Sequence, residues 1–192
     1  MSDLPSTVEI HEEGPREGFQ IEPGPISTVD KVKLIDALSK TGLKHIQACS
    51  FVNPRLVPGW ADAEKVVESF DAHEDVEYTG LYFNGNGLDR ALAFKDKLTI
   101  SGSISLTASE GFTKKNLNRT HAENMAAMER HVMSHLELGI PVNRIGVMAA
   151  FGCNYQGDIS PKTVIKTLED GMQIAAQTGA EITLFSLADT MG

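Results

Sequence analysis

The chain has 192 residues, of which 41% are hydrophobic and 22% charged, as in an ordinary soluble globular domain with a hydrophobic core. Its formal net charge of −9, without any Lys/Arg run, argues against nucleic acid as a partner. No apolar run approaches the roughly 18–20 residues of a membrane span, and no secretory signal opens the chain. Its two cysteines, Cys49 and Cys153, lie far apart without a C-x-x-C spacing. These features predict a cytoplasmic protein with reduced, packed cysteines and no membrane partner.

Strand-like and helix-like segments alternate along the chain. Apolar and β-branched runs predict strands over residues 8–12, 45–50, 77–83, 98–103, 144–149 and 181–187. Amphipathic stretches between them predict helices over residues 28–41, 61–70, 87–94, 122–138 and 161–179. Thr120 and Glu123 have the spacing of a capping box, and Pro161 is suited to a first helical position. The βαβ order predicts parallel strands with right-handed crossovers.

Two architectures fit this order: an open doubly wound sheet of six strands, or a (β/α)₈ barrel of the TIM type. The predicted strands start about 35 residues apart on average, so eight units would need roughly 280 residues. An open sheet buries its strands on both faces, whereas several strands here contain polar residues such as Gln47 and Thr183. The pattern therefore favours a single domain over residues 1–192, formed by about six of the eight units of a barrel.

A charged segment, GPREGFQ at 14–20, follows the first predicted strand. Arg16 and Glu17 would thus lie at the C-terminal end of that strand, where β/α-barrels assemble active sites. Gln47 lies in the second predicted strand and Asp189 follows the sixth, so a barrel would bring these side chains to one mouth. An arginine with two carboxylates suits a divalent cation and an anionic or carbonyl substrate. Taken alone, the GPREGFQ segment favours a solvated surface turn, because short clusters of glycine, proline and charged residues are common.

Two other groups of residues have open interpretations. The segment TASEGFTKKN at 107–116 predicts a loop that either contacts a phosphate or carboxylate or leads into a helix cap. His131 and His135 have an i, i+4 spacing that could bind zinc. No carboxylate sits at an intervening position between them, and the outer helix of a barrel is far from the mouth, which favours a surface pair.

Five colinear motifs carry a resemblance to a known family. They are GPREGFQ at 14–20, SFVNPRLVP at 50–58, ASEGFTKKN at 108–116, GCNYQG at 152–157 and ADTMG at 188–192. With them the chain resembles the 3-hydroxy-3-methylglutaryl-CoA lyases, metal-dependent lyases built on TIM barrels. The resemblance implies cleavage of a 3-hydroxy-3-alkylglutaryl-CoA, an acyl-CoA substrate, to acetyl-CoA and a 3-keto acid. It also implies a divalent metal, Mg²⁺ or Mn²⁺, that orients the substrate's oxygen atoms.

The resemblance assigns roles to individual residues. Arg16 matches the arginine that stabilises the enolate oxygen, Glu17 falls on a metal-ligand aspartate, and Asp189 matches an acidic residue that supports proton transfer. Gln20 lies beside the site in the same segment as a substrate-binding residue. Gln47 stands where the family has a glutamate next to the arginine, and its neutral amide can hold Arg16 but cannot act as a base.

The chain also departs from the family pattern. Glu17 adds one methylene to the aspartate it replaces, and Asn154 replaces a proline. The family's H-x-H metal ligands, its glycine-rich loop with a catalytic cysteine and its late asparagine have no match among the 192 residues.

Three functions remain open at this point: the lyase, a related aldolase or acyl-CoA-condensing enzyme, and a non-catalytic truncated paralogue acting in binding or assembly. In the third case, unpaired sheet edges favour a homo-oligomer.

Overall fold

The structure is a computed structural model that describes residues 4–24 and 26–191. Within these residues the strands are β1 His11–Glu12, β2 His45–Ser50, β3 Glu77–Leu81, β4 Gly102–Thr107, β5 Val142–Met148 and β6 Leu184–Leu187. The α-helices are α1 Gly14–Ile21, α2 Thr28–Leu38, α3 Ala63–Ser69, α4 Gly85–Leu92, α5 Glu110–Leu117, α6 His121–Glu137 and α7 Pro161–Thr178. A single-turn 3₁₀ helix, Pro58–Trp60, precedes α3. None of the described helices is both long enough and apolar enough to span a membrane.

The described strands pair in parallel as two three-stranded sheets, β1-β2-β3 and β4-β5-β6. This grouping differs from the single six-stranded sheet of an open doubly wound fold, and the predicted α/β class is confirmed. By its contacts the chain divides into two compact units, Met1–Ile100 and Ser101–Gly192.

The first unit packs its helices against one face of β2. Ile46 and Ala48 alternate along the strand and are buried there, which is the period of two expected for a strand with one face in a core. They join a cluster that includes Ile35 of α2 and Val66 of α3. Helix α2 begins where the Ser27 side chain accepts a hydrogen bond from the backbone N–H of Asp30.

The second unit has its own core between the β4-β5 strands and helices α6 and α7. Ile104 and Ile145 are fully buried there with Val132 and Ile174. Both predicted helix starts are confirmed: α6 has a capping box at Thr120, and Pro161 opens α7.

Several predicted boundaries were wrong. Strand β4 begins at Gly102, not at residue 98, because Leu98 is buried in the core of the first unit and the Thr99 N–H donates to the Tyr78 carbonyl. The segment at 107–116, predicted as a loop, contains helix α5, whose start is capped by the Ser109 hydroxyl. The turn predicted at 14–20 is helix α1, with proline in its first turn.

Candidate functional site

The backbone of Arg16 is fixed at the start of helix α1, just after the C-terminal end of β1. Its carbonyl oxygen accepts a hydrogen bond from the indole Nε1 of Trp60 at 3.1 Å. Trp60 is fully buried. Pro15, also buried, occupies the first turn of the helix. The position of Arg16 therefore depends on the segment that follows β2, 44 residues away in sequence.

Three side chains hold the Arg16 guanidinium, which is itself only 14% exposed. Its Nε donates to Gln47 Oε1 at 2.5 Å, and its Nη2 donates to Glu13 Oε2 at 2.5 Å. Its Nη1 donates to Glu17 Oε2. A guanidinium has five N–H donors. Among the contacts of the described residues, two donors thus remain for a ligand.

The charge around Arg16 differs from the pattern expected from the sequence. Gln47 on β2 contributes a neutral amide oxygen, as anticipated. Glu13 and Glu17 contribute two carboxylates, each about half exposed. Glu13 was missed by the sequence analysis, although its i, i+3 spacing to Arg16 is the spacing at which helical neighbours meet.

An ion pair between Lys31 and Asp62 packs against Trp60. The Lys31 side chain is 2% exposed, and its Nζ donates to Asp62 Oδ1 at 2.6 Å and to the Gly59 carbonyl at 2.5 Å. The same ammonium lies 4.6 Å from the centroid of the Trp60 ring, within cation–π range. Burial raises the pKa of Asp62, but hydrogen bonds from Lys31 and Thr28 outweigh it and hold this pKa below 3.8. This network fixes the indole that in turn holds Arg16.

The remaining predicted site residues lie apart from this cluster. Gln20 is exposed on the last turn of α1. Asp189 is exposed just after β6, in the second unit. The neighbouring Thr190 hydroxyl accepts a hydrogen bond from the Ala149 N–H at 2.8 Å, which fixes the backbone beside Asp189. The structure thus brings Arg16, Glu17 and Gln47 together in the first unit, and the convergence of Asp189 with them remains a prediction.

Potential metal ligands gather at a different place from Glu17. Within the described part of the chain, one group of three such side chains is found: Glu9, His11 and His45, whose donor atoms lie within 4.8 Å of one another. This group lies at the N-terminal ends of β1 and β2 and does not include Glu17. In the sequence these histidines are scattered, and nothing local shows that His11 and His45 are register partners.

The second unit places Cys153 among polar groups beyond the C-terminal end of β5. The Ser109 hydroxyl donates to Cys153 Sγ at 2.9 Å, and Cys153 is 6% exposed. Burial raises the pKa of this thiol, but the Ser109 hydroxyl and neighbouring backbone N–H groups outweigh it and lower the pKa below 9.0. Burial raises the pKa of Cys49 well above its usual value. Both cysteines are buried, as expected for packed thiols.

The surface interpretation of the α6 histidine pair was wrong for His135. This side chain is 3% exposed and packs against Gly102, where an added Cβ would lie 3.0 Å from the imidazole. The missing side chain at Gly102 leaves the space that the ring fills. Its Nδ1 lies 2.8 Å from the His131 carbonyl, the usual contact one turn back along a helix. Burial lowers the pKa of His131 to about 4, and the nearby His135 side chain contributes a smaller electrostatic effect in the same direction.

Comparison with known proteins assigns the chain to a family. A family model described as HMGL-like matches residues 7–192, nearly the whole sequence. The chain belongs to the HMGL-like family. Among HMGL-like relatives, the cytoplasmic 3-hydroxy-3-methylglutaryl-CoA lyase of Rattus norvegicus is 37% identical over 193 residues, which cover 100% of this chain and 53% of the relative. The hydroxymethylglutaryl-CoA lyase of Bacillus subtilis is 33% identical, with 98% of this chain and 60% of the relative covered.

Solved HMGL-like structures share the fold. The hydroxymethylglutaryl-CoA lyase of Pseudomonas aeruginosa matches with a TM-score of 0.84 and 30% identity, over 100% of this chain and 60% of that one. A lyase of Acinetobacter baumannii, solved with coenzyme A and 3-methylmalate, matches with a TM-score of 0.73 and 31% identity over 96% of this chain and 58% of that one. These matches confirm the prediction of a (β/α)₈-type fold with six of its units in this chain. The chain spans between half and two thirds of the length of these relatives.

Proposed function

We propose that this chain forms the Arg16-centred part of a carbon–carbon lyase site that cleaves a 3-hydroxy-3-alkylglutaryl-CoA to acetyl-CoA and a 3-keto acid. The observation that carries the proposal is the guanidinium itself. It is nearly buried at the C-terminal end of β1, is held by three side chains, and retains donors for a ligand. The lyase names of the relatives, and the coenzyme A in the Acinetobacter structure, support an acyl-CoA as the substrate. The rat relative's name supports a cytoplasmic location.

In this proposal Arg16 donates hydrogen bonds to the oxygen that becomes negative as the enolate of acetyl-CoA forms. A charged donor fixed in advance stabilises that oxygen without reorganising during the reaction. Gln47 and Glu13 keep the guanidinium in place, and Gln20 contacts the substrate from the last turn of α1. Asp189 supports the proton transfer that begins with the substrate hydroxyl.

The proposal includes a divalent cation, Mg²⁺ or Mn²⁺, with Glu17 as one ligand. A carboxylate oxygen is the donor that such hard cations prefer, so Glu17 fits chemically as one ligand. It belongs to no group of three potential ligands in the described residues, so it does not form a complete site by itself. A bound cation would polarise the substrate's oxygens. The roles proposed for Arg16, Gln47 and Asp189 do not depend on how that cation is coordinated.

The test is binding of 3-hydroxy-3-methylglutaryl-CoA to the 192-residue chain, measured by calorimetry. Arg16→Met keeps the length of the side chain but removes the charged donors. It should weaken binding by about tenfold or more, because a hydrogen bond to a charged group contributes roughly 1.5–3 kcal/mol. Arg130→Met, on the exposed face of α6, is the matched control and should bind as the wild type does. Equal affinities of the wild type and Arg16→Met would count against the proposal.

A binding or assembly module remains the second candidate, because β1 is a short edge strand with exposed residues on its N-terminal side. Light scattering after size exclusion distinguishes the two functions. The assembly function would be favoured if the chain forms a defined homo-oligomer and if Arg16→Met binds 3-hydroxy-3-methylglutaryl-CoA as the wild type does.

A further inference from the structure

Four side chains gather at the N-terminal ends of the first three strands: Glu9, His11, His45 and Glu77. Glu9 Oε1 lies 3.6 Å from His11 Nε2 and also contacts His45 Nε2. The two imidazole rings stack with their centroids 4.0 Å apart and their planes 3° apart. The other ring nitrogen of His45, Nδ1, lies 3.3 Å from Glu77 Oε2.

The sheet register produces this cluster. His11 on β1 pairs with His45 on β2, and His45 pairs with Glu77 on β3. Paired residues of adjacent strands point to the same face of a sheet, so three polar side chains form a row across it. Glu9 precedes His11 by two residues, the spacing that returns an extended chain to the same face.

Potential ligand atoms of three of these side chains lie close together. One oxygen of Glu9 and one nitrogen each of His11 and His45 lie within 4.8 Å of one another. The carboxylate oxygen, and either imidazole nitrogen when it carries no proton, can each supply a lone pair to an ion. The Glu9 and His11 side chains are 60% and 54% exposed, so an ion can reach the site from solvent.

We propose that Glu9, His11 and His45 bind one divalent transition-metal ion of the zinc type. Two imidazoles and one carboxylate are an established donor set for Zn²⁺, with the fourth position left to water. Glu77 would orient His45 from its Nδ1 side, as carboxylates do behind zinc-bound histidines. Because the nitrogen lone pairs lie in the ring planes, two stacked rings cannot both point at one ion, so binding requires the exposed His11 ring to rotate out of the stack.

The bound ion would act as a clip between two strands. Strand β1 has two residues and pairs only with β2 among the described strands, so few backbone hydrogen bonds hold it. A metal bound across His11 and His45 joins the two strands at their N-terminal ends. Arg16 lies beyond the opposite end of β1, so this inference does not rest on the proposed lyase function.

The experiment titrates the metal-free 192-residue chain with Zn²⁺ by calorimetry. We expect one ion per chain, a rise in Tm, and visible absorption bands of tetrahedral Co²⁺ when cobalt replaces zinc. His11→Ala and His45→Ala should each weaken zinc binding by at least about tenfold, and Glu77→Gln by about tenfold. Mg²⁺ in excess should not compete, because imidazole ligands select transition metals.

Two variants serve as controls. His73→Ala removes an exposed histidine from outside the cluster, and Glu17→Gln removes the carboxylate proposed for the hard cation. Both should bind Zn²⁺ as the wild type does. The zinc site and the proposed role of Glu17 as a ligand for Mg²⁺ or Mn²⁺ are therefore tested independently of each other. Unchanged zinc affinity in His11→Ala and His45→Ala, or no binding by the wild type, would overturn the inference. Where a histidine variant loses its circular dichroism signal, Glu9→Gln replaces it, since the amide preserves the shape of the side chain.

Discussion

The guanidinium of Arg16 owes its position to contacts on both its backbone and its side chain. Trp60 fixes the carbonyl, while Gln47 and Glu13 fix the charged group. Gln47 adds no charge, so the electrostatic balance of the cluster comes from the half-exposed carboxylates on α1. What this arrangement leaves for a ligand is the free N–H donors of Arg16, since the two carboxylates offset its charge.

Replacing Trp60 with phenylalanine should destabilise the protein. The indole's hydrogen bond to the Arg16 carbonyl would be lost, which costs about 0.5–1.5 kcal/mol, and the smaller ring would leave part of a fully buried site unfilled. Urea unfolding followed by circular dichroism measures the change, because Trp60 is the single tryptophan and its fluorescence is lost in the variant. Phe151→Leu, at an aromatic that is 65% exposed, is the control and should stay within about 0.5 kcal/mol of wild type. A Trp60→Phe variant as stable as this control would contradict the account.

The buried pair of Lys31 and Asp62 predicts how stability depends on pH. The pKa of Asp62 in the folded protein is held below 3.8, so its stabilisation is fully present above that value and is lost as the pH falls through the folded pKa. Asp62→Asn should therefore be less stable than wild type at neutral pH, with the difference shrinking below about pH 3.8. The free energy of unfolding, measured against pH, tests this. Asp75→Asn at an exposed position is the control, and a constant difference for Asp62→Asn across the acid range would refute the prediction.

Sequence patterns identified the residues of the candidate site, but not the residues that hold them in position. GPREGFQ indicated Arg16 and Glu17 because chemistry-bearing residues stood next to glycines after a strand. Trp60 was not foreseen, since its contact with Arg16 spans 44 residues and depends on tertiary packing. His135 was placed on the surface because the space that receives it is created by a glycine on another element.

At the scale of elements, local signals predicted the starts of α6 and α7 well, but they missed α1 and α5 and placed strand limits less well. Caps act within one turn, so Thr120 and Pro161 revealed the starts of α6 and α7. The strand predicted at 98–103 begins four residues later in the structure, because an apolar run does not reveal which of the two cores it packs into. Leu98 belongs to the first core, and β4 begins only at Gly102.

Gly171 should resist substitution although it lies inside a helix. Alanine favours helices by about 0.8–1.0 kcal/mol over glycine. A Cβ at Gly171 of α7 would, however, lie 2.8 Å from Ile145 Cγ2 on β5, and overpacking costs about 1–3 kcal/mol. Gly171→Ala should therefore lower the free energy of unfolding in urea. Gly18→Ala, in α1 with no atom within 4 Å of the new methyl group, is the matched control and should be neutral or stabilising. Stabilisation by Gly171→Ala would show that α7 and β5 do not pack as described.

At the scale of the whole molecule, the alternation of strand and helix patterns was sufficient to predict six β/α units. The polar residues in the strands favoured the barrel type, and the lyase structures agree with it. Pairing into two three-stranded sheets could not be derived from the sequence, because it depends on contacts between segments far apart in the chain. The single domain predicted over residues 1–192 remains a prediction.

The isolated 192-residue chain should release no appreciable acetyl-CoA from 3-hydroxy-3-methylglutaryl-CoA. It contains no H-x-H pair, and Glu17 belongs to no group of three potential metal ligands among the described residues. Acetyl-CoA production with added Mg²⁺ or Mn²⁺ measures the activity, with the Bacillus subtilis relative as the positive control. Metal-dependent release by this chain alone would show that its own residues complete the site.

If Arg16 receives the reacting end of an acyl-CoA, an oxygen of a bound substrate analogue must lie beside its guanidinium. The most direct measurement is a crystal structure of this chain with coenzyme A and 3-methylmalate, the pair present in the Acinetobacter baumannii lyase. We expect an oxygen of 3-methylmalate within hydrogen-bond distance of the Arg16 guanidinium, with Gln47 still bonded to its Nε. Ligand bound elsewhere on the chain, with Arg16 contacting only Gln47, Glu13 and Glu17, would contradict it.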